Sequence, residues 1–237
     1  MTTISKAQIK LIRSLQHKKY RDETGLFVAE GSKCIEELKK GFELVLEVTS
    51  ENASEKEIAQ MSGLKTPQGV IGVFKKRATD LSPITSNLIL ALDGVQDPGN
   101  LGTIIRTCDW FGVKNIVCSN ETADCYNPKV VQATMGALTR VHITYTNLAE
   151  WLAAQQCPIF GTFLDGKNIY ETNLSQLKTE HSVIVMGNEG NGISSVIRKM
   201  ITHPLLIPSY PPLSETSESL NVAIATAIVL AEFRRPR

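Results

Sequence analysis

The residues most able to do chemistry in this sequence lie in three loops that are rich in Gly, Asn and Pro. The first loop reads DGVQDPGNLGTIIR and contains Asn100 and Arg106, the second reads MGNEGNGIS and contains Glu189, and the third ends in SLNV with Asn221. An arginine keeps its charge and can hold an anion through two parallel hydrogen bonds. Glycine lets the main chain approach a ligand closely. The composition of the three loops therefore marks them as candidates for a ligand site.

Other glycine-rich or nucleophilic sites fit the sequence poorly. The segment Gly187–Gly192 reads G-x-x-G-x-G, which is the wrong order for a dinucleotide fingerprint, and no G-x-x-x-x-G-K-[ST] segment is present. The four histidines have no evident Ser or Cys partner; they are His17, His142, His181 and His203. A nicotinamide enzyme, a P-loop NTPase and a hydrolase with a nucleophilic triad are therefore disfavoured.

The elements around the loops predict a mostly parallel sheet with helices on both faces. LILALD, at residues 88–93, is a continuous apolar run typical of a parallel strand covered on both sides, and strands then alternate with helices to the C-terminus. Each of the three loops follows a predicted strand, and ligands bind at the carboxyl ends of parallel strands. We expect a small α/β domain at 1–78, a linker at 79–87 and the catalytic α/β domain at 88–237.

Composition and charge narrow the class of protein. Of the 237 residues, 42% are hydrophobic and 21% charged, with no apolar run long enough to span a membrane and no secretory signal. The five cysteines are scattered and show no zinc-ligand spacing, so we expect a cytoplasmic protein without a metal.

Basic residues concentrate in the N-terminal third. Residues 1–78 hold 14 Lys and Arg against 10 Asp and Glu, whereas the rest of the chain holds 11 against 14. Such a bias is typical of a surface that binds a polyanion, although charge alone favours the simpler explanation of a solvated amphipathic helix over residues 4–20. The expected RNA contacts are Lys18, Lys19, Arg21 and Lys33.

The three motifs together closely resemble those of a known family. N-x-G-x-x-x-R (Asn100, Gly102, Arg106), G-N-E-G-x-G (Gly187–Gly192) and S-L-N-V (Ser219–Val222) resemble the signatures of the SpoU, or TrmH-like, RNA 2′-O-ribose methyltransferases of the SPOUT superfamily. NPKVVQATMGAL resembles the segment between the first two motifs, and KYRDETGLFVAEGSKCIEE resembles the substrate-binding domain of many members. The resemblance implies S-adenosylmethionine as methyl donor, no metal, a deep trefoil knot in the catalytic domain, and a homodimer packed through the last helices.

The resemblance also implies roles for individual residues. Cofactor binding is expected at Gly187, Ile207 and Leu220, with Met186, Asn188 and Gly190 beside them. Catalytic roles are expected at Arg106, Asn100, Glu189 and Asn221. We expect Arg106 to clamp an RNA phosphate rather than to act as a base, because its pKa exceeds about 12.

Simpler interpretations of some of these residues stay open. Asn100 could be a helix N-cap, Glu189 could bond loop amides instead of orienting the ribose, and Ser219 could cap the last helix. Asn221 is expected to tie the third loop to the second. Cys108 and Trp110 are expected in the core.

Two features leave the substrate and the pocket mouth open. The segment Pro208–Glu218 is longer than is usual in the family and lacks Gly, so that Tyr210, Pro211 and Pro212 could reshape the pocket or contact RNA. The N-terminal domain favours ribosomal RNA over transfer RNA as the substrate. A catalytically silent RNA-binding or ribosome-assembly factor is the alternative from another class, and base methylation is disfavoured by the motifs.

The last helix is expected to be buried. The segment NVAIATAIVLAEF is apolar nearly all round, which predicts burial in the core or against a partner.

Overall fold

A computed structural model describes residues 3–78, 88–211, 217 and 219–236. The chain divides into two compact units, one formed by Met1–Thr79 with Asp124–Arg140 and the other by Asp80–Ala123 with Val141–Arg237. The linker predicted at 79–87 lies outside the described residues, as does most of the long loop before the third motif, including Pro212. The domain limits and the knot stay predictions.

The elements alternate between helix and strand through most of the chain. In order they are α1 (Lys6–Ser14), α2 (Lys18–Thr24), β1 (Leu26–Glu30), α3 (Ser32–Leu38), β2 (Leu44–Val48), α4 (Glu55–Met61), β3 (Ile71–Lys75), β4 (Leu88–Asp93), α5 (Pro98–Trp110), β5 (Asn115–Ser119), α6 (Pro128–Thr134), a 3₁₀ turn (Ala137–Thr139), β6 (His142–Thr146), α7 (Leu148–Ala153), β7 (Ile159–Asn168), α8 (Leu174–Leu177), β8 (Ser182–Gly187), α9 (Ser195–Arg198), β9 (His203–Leu206) and α10 (Val222–Arg234).

The first unit is built on an antiparallel sheet of order β1-β3-β2. The single helix predicted over residues 4–20 is two helices, because the chain tightens into i→i+3 hydrogen bonds at Gln16 and His17 before α2 begins. Ser5 and Gln8 form a capping box that starts α1.

The segment Asp124–Arg140, which the sequence places with the catalytic domain, packs in the first unit. The ring of Tyr126 packs against those of Phe27 and Phe42, with ring centroids 4.9 and 6.3 Å away. Its hydroxyl accepts a hydrogen bond from the backbone amide of Arg77. Burial raises the pKa of Tyr126 to about 12, so that this hydroxyl stays neutral at physiological pH. The spacing of hydrophobic residues along the sequence reports only local structure. It therefore could not predict that Tyr126 packs against aromatic residues so distant in the sequence.

The second unit contains a six-stranded sheet of order β6-β5-β4-β8-β7-β9 in which every pair of neighbouring strands is parallel. Alternate residues of β4 and β8, including Ile89 and Val183, pack with α7 and α9 in one apolar cluster. Because side chains alternate along a strand, the intervening residues face the opposite side, and α10 packs against both β8 and α5. The predicted fold class is confirmed.

The last helix differs from its prediction in where it begins. It starts at Val222, directly after Asn221, and therefore begins later than a cap at Ser219 would imply. One side of α10 is buried through Val229, Leu230 and Phe233. In the described part of the chain, no helix combines the length and the apolar character needed to cross a membrane.

Candidate active site

Strand order brings the first two motifs together at one edge of the sheet. β4 and β8 are neighbours, and their last residues, Asp93 and Gly187, lie opposite each other. The first motif follows β4 and the second follows β8, so both begin at the carboxyl edge, where ligands bind in parallel sheets. The third motif follows β9, which is separated from β8 only by β7.

Glu189 connects the second motif to the first. Its carboxylate accepts hydrogen bonds from the backbone amides of Gln96 and Asp97, each at 3.2 Å, and from Nδ2 of Asn100 at 3.0 Å. Partial burial on its own would raise the pKa of Glu189, but the hydrogen bonds from Asn100 and the loop amides outweigh it and lower that pKa below its ordinary value. Glu189 is therefore ionised at neutral pH, with its oxygens engaged by the protein.

Asn221 connects the third motif to the same cluster. Its Nδ2 donates to Oδ1 of Asn100 at 2.9 Å, while its Oδ1 accepts from the backbone amides of Ala223 and Ile224 at the start of α10. Asn221 thus ties the third motif to the first, not directly to the second as expected. The chain Asn221–Asn100–Glu189, which we call the three-motif bridge, joins all three motifs.

The two caps differ from the simpler interpretations. Asp97, not Asn100, caps α5, since its Oδ1 accepts from the amide of Asn100 at 2.8 Å. Asn221, not Ser219, caps α10. Because the cap of α5 is supplied elsewhere, the Asn100 side chain is available for the three-motif bridge.

Asn221 offers a way to separate capping from bridging. Asn221→Asp keeps an oxygen for the cap, but it loses the donor to Asn100 and adds a carboxylate near Glu189. We expect its melting temperature to match the wild type while methyl transfer falls at least about 10-fold, as expected when catalytic positioning is lost. Asn221→Ala should lose both the helix cap and the hydrogen bond to Asn100. Its melting temperature should be lower by roughly 2–4 °C, since a cap contributes about 1 kcal/mol. Full activity in the aspartate variant would show that the bridge is dispensable.

The second motif forms a tight turn that is fixed from within. The backbones of Asn188 and Gly192 exchange two hydrogen bonds of 2.9 Å, with Gly192 in the left-handed region at φ 65°. The Asn188 side chain donates to the carbonyl oxygen of Gly94 at 2.7 Å and accepts from the amides of Gly190 and Asn191. The Asn188 side chain therefore shapes the turn, and the expected contribution of Asn188 to cofactor binding stays a prediction.

Gly187 is required by the turn itself. A Cβ at this position would lie 2.2 Å from both the carbonyl carbon of Gly192 and the amide nitrogen of Ile193. A Cβ at Gly190 would have its nearest neighbour, Oδ1 of Asn188, at 3.6 Å. Glycine is therefore needed at position 187 because the main chain at Gly192 and Ile193 lies close to it, whether or not a ligand is bound.

The other predicted cofactor residues lie at the same edge of the sheet. Met186 is buried in β8, Ile207 directly follows β9 and is half-buried, and Leu220 directly precedes Asn221 with 48% of its surface exposed. Apolar side chains and backbone groups at strand ends are suited to a flat, partly apolar ligand such as an adenine. These residues fit S-adenosylmethionine.

Arg106 lies on the exposed surface of α5, roughly 9 Å along the helix axis from Asn100. It makes neither a hydrogen bond nor an ion pair with the described residues, so its guanidinium is available for an external anion. Cys108 is buried as expected, but Trp110, expected in the core, is 85% exposed. The helix turns Trp110 away from the sheet, because residues 106 and 110 share one face.

Three of the five cysteine thiols are poorly suited to nucleophilic chemistry. Burial raises the pKa of Cys34 to about 11, and it also raises the pKa values of Cys108 and Cys157 above their ordinary range. Across the part of the chain that the structure covers, no group of three or more His, Cys, Asp or Glu side chains could hold a metal ion.

The four residues predicted to contact RNA are placed differently from one another. Arg21 is 1% exposed and pairs with Asp124 at 2.7 Å while donating to the carbonyl oxygen of Leu15. This buried pair is a structural element of the first unit, and the prediction that Arg21 reaches RNA is wrong. Lys18, Lys19 and Lys33 are exposed, but the first two form ion pairs within α2.

Comparisons with known proteins place the chain among RNA-modifying enzymes. A profile of the SpoU rRNA Methylase family matches residues 87–231, and a profile of the MRM3-like substrate binding domain matches residues 6–53. The 23S rRNA (guanosine(2553)-2′-O)-methyltransferase RlmP of Bacillus subtilis is 30% identical to the chain, with 96% of each protein covered.

Two solved structures share both sequence and fold with the chain. A TrmH-family protein from Porphyromonas gingivalis is 38% identical with a TM-score of 0.88, covering 98% of this chain and 99% of that one. An AdoMet-bound rRNA methyltransferase from Sinorhizobium meliloti is 33% identical with a TM-score of 0.84, covering 99% of this chain and 96% of that one. The chain belongs to the SpoU rRNA methylase family.

Proposed function

We propose that the protein transfers a methyl group from S-adenosylmethionine to a ribose 2′-hydroxyl of ribosomal RNA. The observation that carries this proposal is the three-motif bridge, in which side chains from all three family motifs meet at the carboxyl edge of the sheet. Ribosomal RNA is favoured over transfer RNA because a relative matched over nearly its whole length is named as a 23S rRNA enzyme.

In this proposal, one set of residues binds the cofactor and another positions the RNA substrate. Gly187, Ile207 and Leu220 would hold S-adenosylmethionine, which supplies the methyl group when bound. Arg106 binds the phosphate beside the target ribose and fixes the attacking oxygen in line. Such positioning can contribute several powers of ten to a rate.

The proton of the hydroxyl must leave during attack. Arg106 resists deprotonation, and Glu189 is a weak base with a lowered pKa whose oxygens accept three hydrogen bonds from the protein. The proton therefore passes to the clamped phosphate or to water, and Glu189 holds Asn100 and the first loop in place.

Mapping of ribose methylation across total RNA, in strains with and without the gene, tests the proposal. We expect one or a few 23S or 16S rRNA positions to lose their 2′-O-methyl group in the deletion strain and to regain it with the wild-type gene. If the deletion removed ribose methylation only from transfer RNA, the substrate would be transfer RNA rather than ribosomal RNA. Unchanged methylation, together with no binding of S-adenosylmethionine in calorimetry at millimolar concentration, would favour a non-catalytic factor.

We also propose that the enzyme is a cytoplasmic homodimer that packs through α10 and the adjacent surface of α5. Trp110 and Ile224, on these two contacting helices, are 85% and 53% exposed. Large exposed apolar residues on packed helices commonly mark protein interfaces, and the family resemblance implies packing through the last helix.

Ile224→Arg is expected to convert the dimer to a monomer, because it places a charge in a desolvated contact. Light scattering coupled to size-exclusion chromatography measures the result. Val196→Arg is the matched control, since Val196 is 55% exposed in the same unit but lies on α9. A dimer retained by the Ile224 variant, or a wild-type monomer at micromolar concentration, would contradict the proposed interface.

A further inference from the structure

A stripe of cations runs along α1, and its residues are not among those that the sequence singled out for RNA. Lys6, Lys10 and Arg13 are spaced by four and three residues, so they share one exposed face of the helix. With Ile9, Ser14 and His17 they line a groove of about 390 Å³. We call Lys6, Lys10 and Arg13 the α1 stripe.

The α1 stripe carries unneutralised charge, in contrast to α2. Lys18 pairs with Asp22 at 2.6 Å and Lys19 with Glu23 at 3.8 Å. Lys76 also forms an ion pair with Asp22. Lys18 and Lys76 together lower the pKa of the Asp22 carboxyl, so this carboxyl is ionised at neutral pH. By contrast, no member of the α1 stripe forms an ion pair with a residue described in the structure, and residues 1–21 contain no Asp or Glu.

The α1 stripe is also held in a fixed orientation. Ile12 and Leu15 on the opposite side are fully buried, and Ile9, which lines the groove, packs against the same core cluster. The capping box at Ser5 fixes the first turn. A charged surface on an anchored helix loses little backbone freedom on binding, which favours affinity.

We propose that the α1 stripe, rather than the lysines of α2, binds phosphates of the RNA substrate. This inference rests on the proposed function, because it identifies where that substrate contacts the first unit. Each cation that neutralises a phosphate of a single strand contributes about 0.7 to the slope of log affinity against log salt concentration.

Two double variants with the same change in charge test the proposal. Lys6→Gln/Lys10→Gln and Lys18→Gln/Lys19→Gln each remove two lysine charges, and RNA affinity is measured by filter binding with the full-length protein and rRNA transcripts at several salt concentrations. The α1 variant should lower the salt slope by about 1.4 and the affinity roughly 20-fold near 0.1 M salt. The α2 variant should change affinity less than about 3-fold. Adding Arg13→Gln to the α1 variant should lower the slope again.

The opposite ranking, or equal losses in the two double variants, would overturn the proposal. Matching melting temperatures show that both variants fold. Calorimetry with S-adenosylmethionine should give wild-type affinity in both, because the second unit is untouched. If the wild type methylates rRNA and the α1 variant binds RNA normally, only this inference fails. If the wild type methylates no ribose while the α1 variant still loses RNA affinity, the proposed function fails alone.

Discussion

Arg106→Lys is expected to lower the turnover number for RNA methylation by roughly 100-fold or more, with unchanged affinity for S-adenosylmethionine. Lysine keeps the positive charge but presents a single point of contact, whereas the guanidinium can bind two phosphate oxygens at once and so fixes orientation. Removal of one preorganised contact to a reacting group commonly costs 10²–10³-fold in rate. Single-turnover methyl transfer to an rRNA transcript, at saturating RNA, measures the effect.

The exposure of Arg106 makes this test clean. Its side chain makes no hydrogen bond or ion pair within the described residues, so the variant should melt at the wild-type temperature. Arg198→Lys is the matched control, because Arg198 is also an exposed arginine of the second unit and pairs instead with Asp165. The control should keep turnover within about 2-fold. Near-normal turnover in the Arg106 variant would remove the clamp from the mechanism and leave positive charge alone as the requirement.

The sequence was most informative where a local pattern determines structure. The apolar run at 88–93 predicted a parallel strand, and the position of each motif after a strand predicted where the motifs meet. Both follow from short-range rules that link hydrophobic runs and turns to strand ends. The contact between Glu189 and Asn100 agrees with that expectation, although the sequence could not say whether Glu189 would bond loop amides.

The sequence was least informative where two residues compete for the same task. Asp97 and Asn100 are both good helix caps, and only the position at which α5 begins decides between them. Arg21 and Lys18 were equivalent as basic residues of one segment, yet Arg21 is neutralised by Asp124, which lies 103 positions away. A count of charges along the sequence therefore cannot distinguish a basic residue that is paired within the fold from one that is free to bind an external anion.

Gly187→Ala is expected to abolish measurable binding of S-adenosylmethionine, with an affinity loss of at least about 100-fold. The obstacle is space, because the added Cβ would meet main-chain atoms of Gly192 and Ile193 at 2.2 Å, and main chain cannot rotate out of the way. Relief requires moving the turn, which breaks the paired hydrogen bonds between Asn188 and Gly192. Overpacking of this kind costs about 1–3 kcal/mol, so the melting temperature should fall by roughly 2–12 °C.

Gly190→Ala separates this cause from a general need for glycine in the motif. Its Cβ would have ordinary contacts only, the nearest at 3.6 Å, so the turn should keep its shape. We expect this variant to bind S-adenosylmethionine within about 5-fold of the wild type and to melt within about 2 °C of it. Calorimetry and thermal melting of the two variants measure both effects. If Gly187→Ala bound the cofactor normally, the tight turn would not be what shapes the pocket. If both variants failed equally, direct contact between the cofactor and the glycine backbone would replace the turn as the explanation.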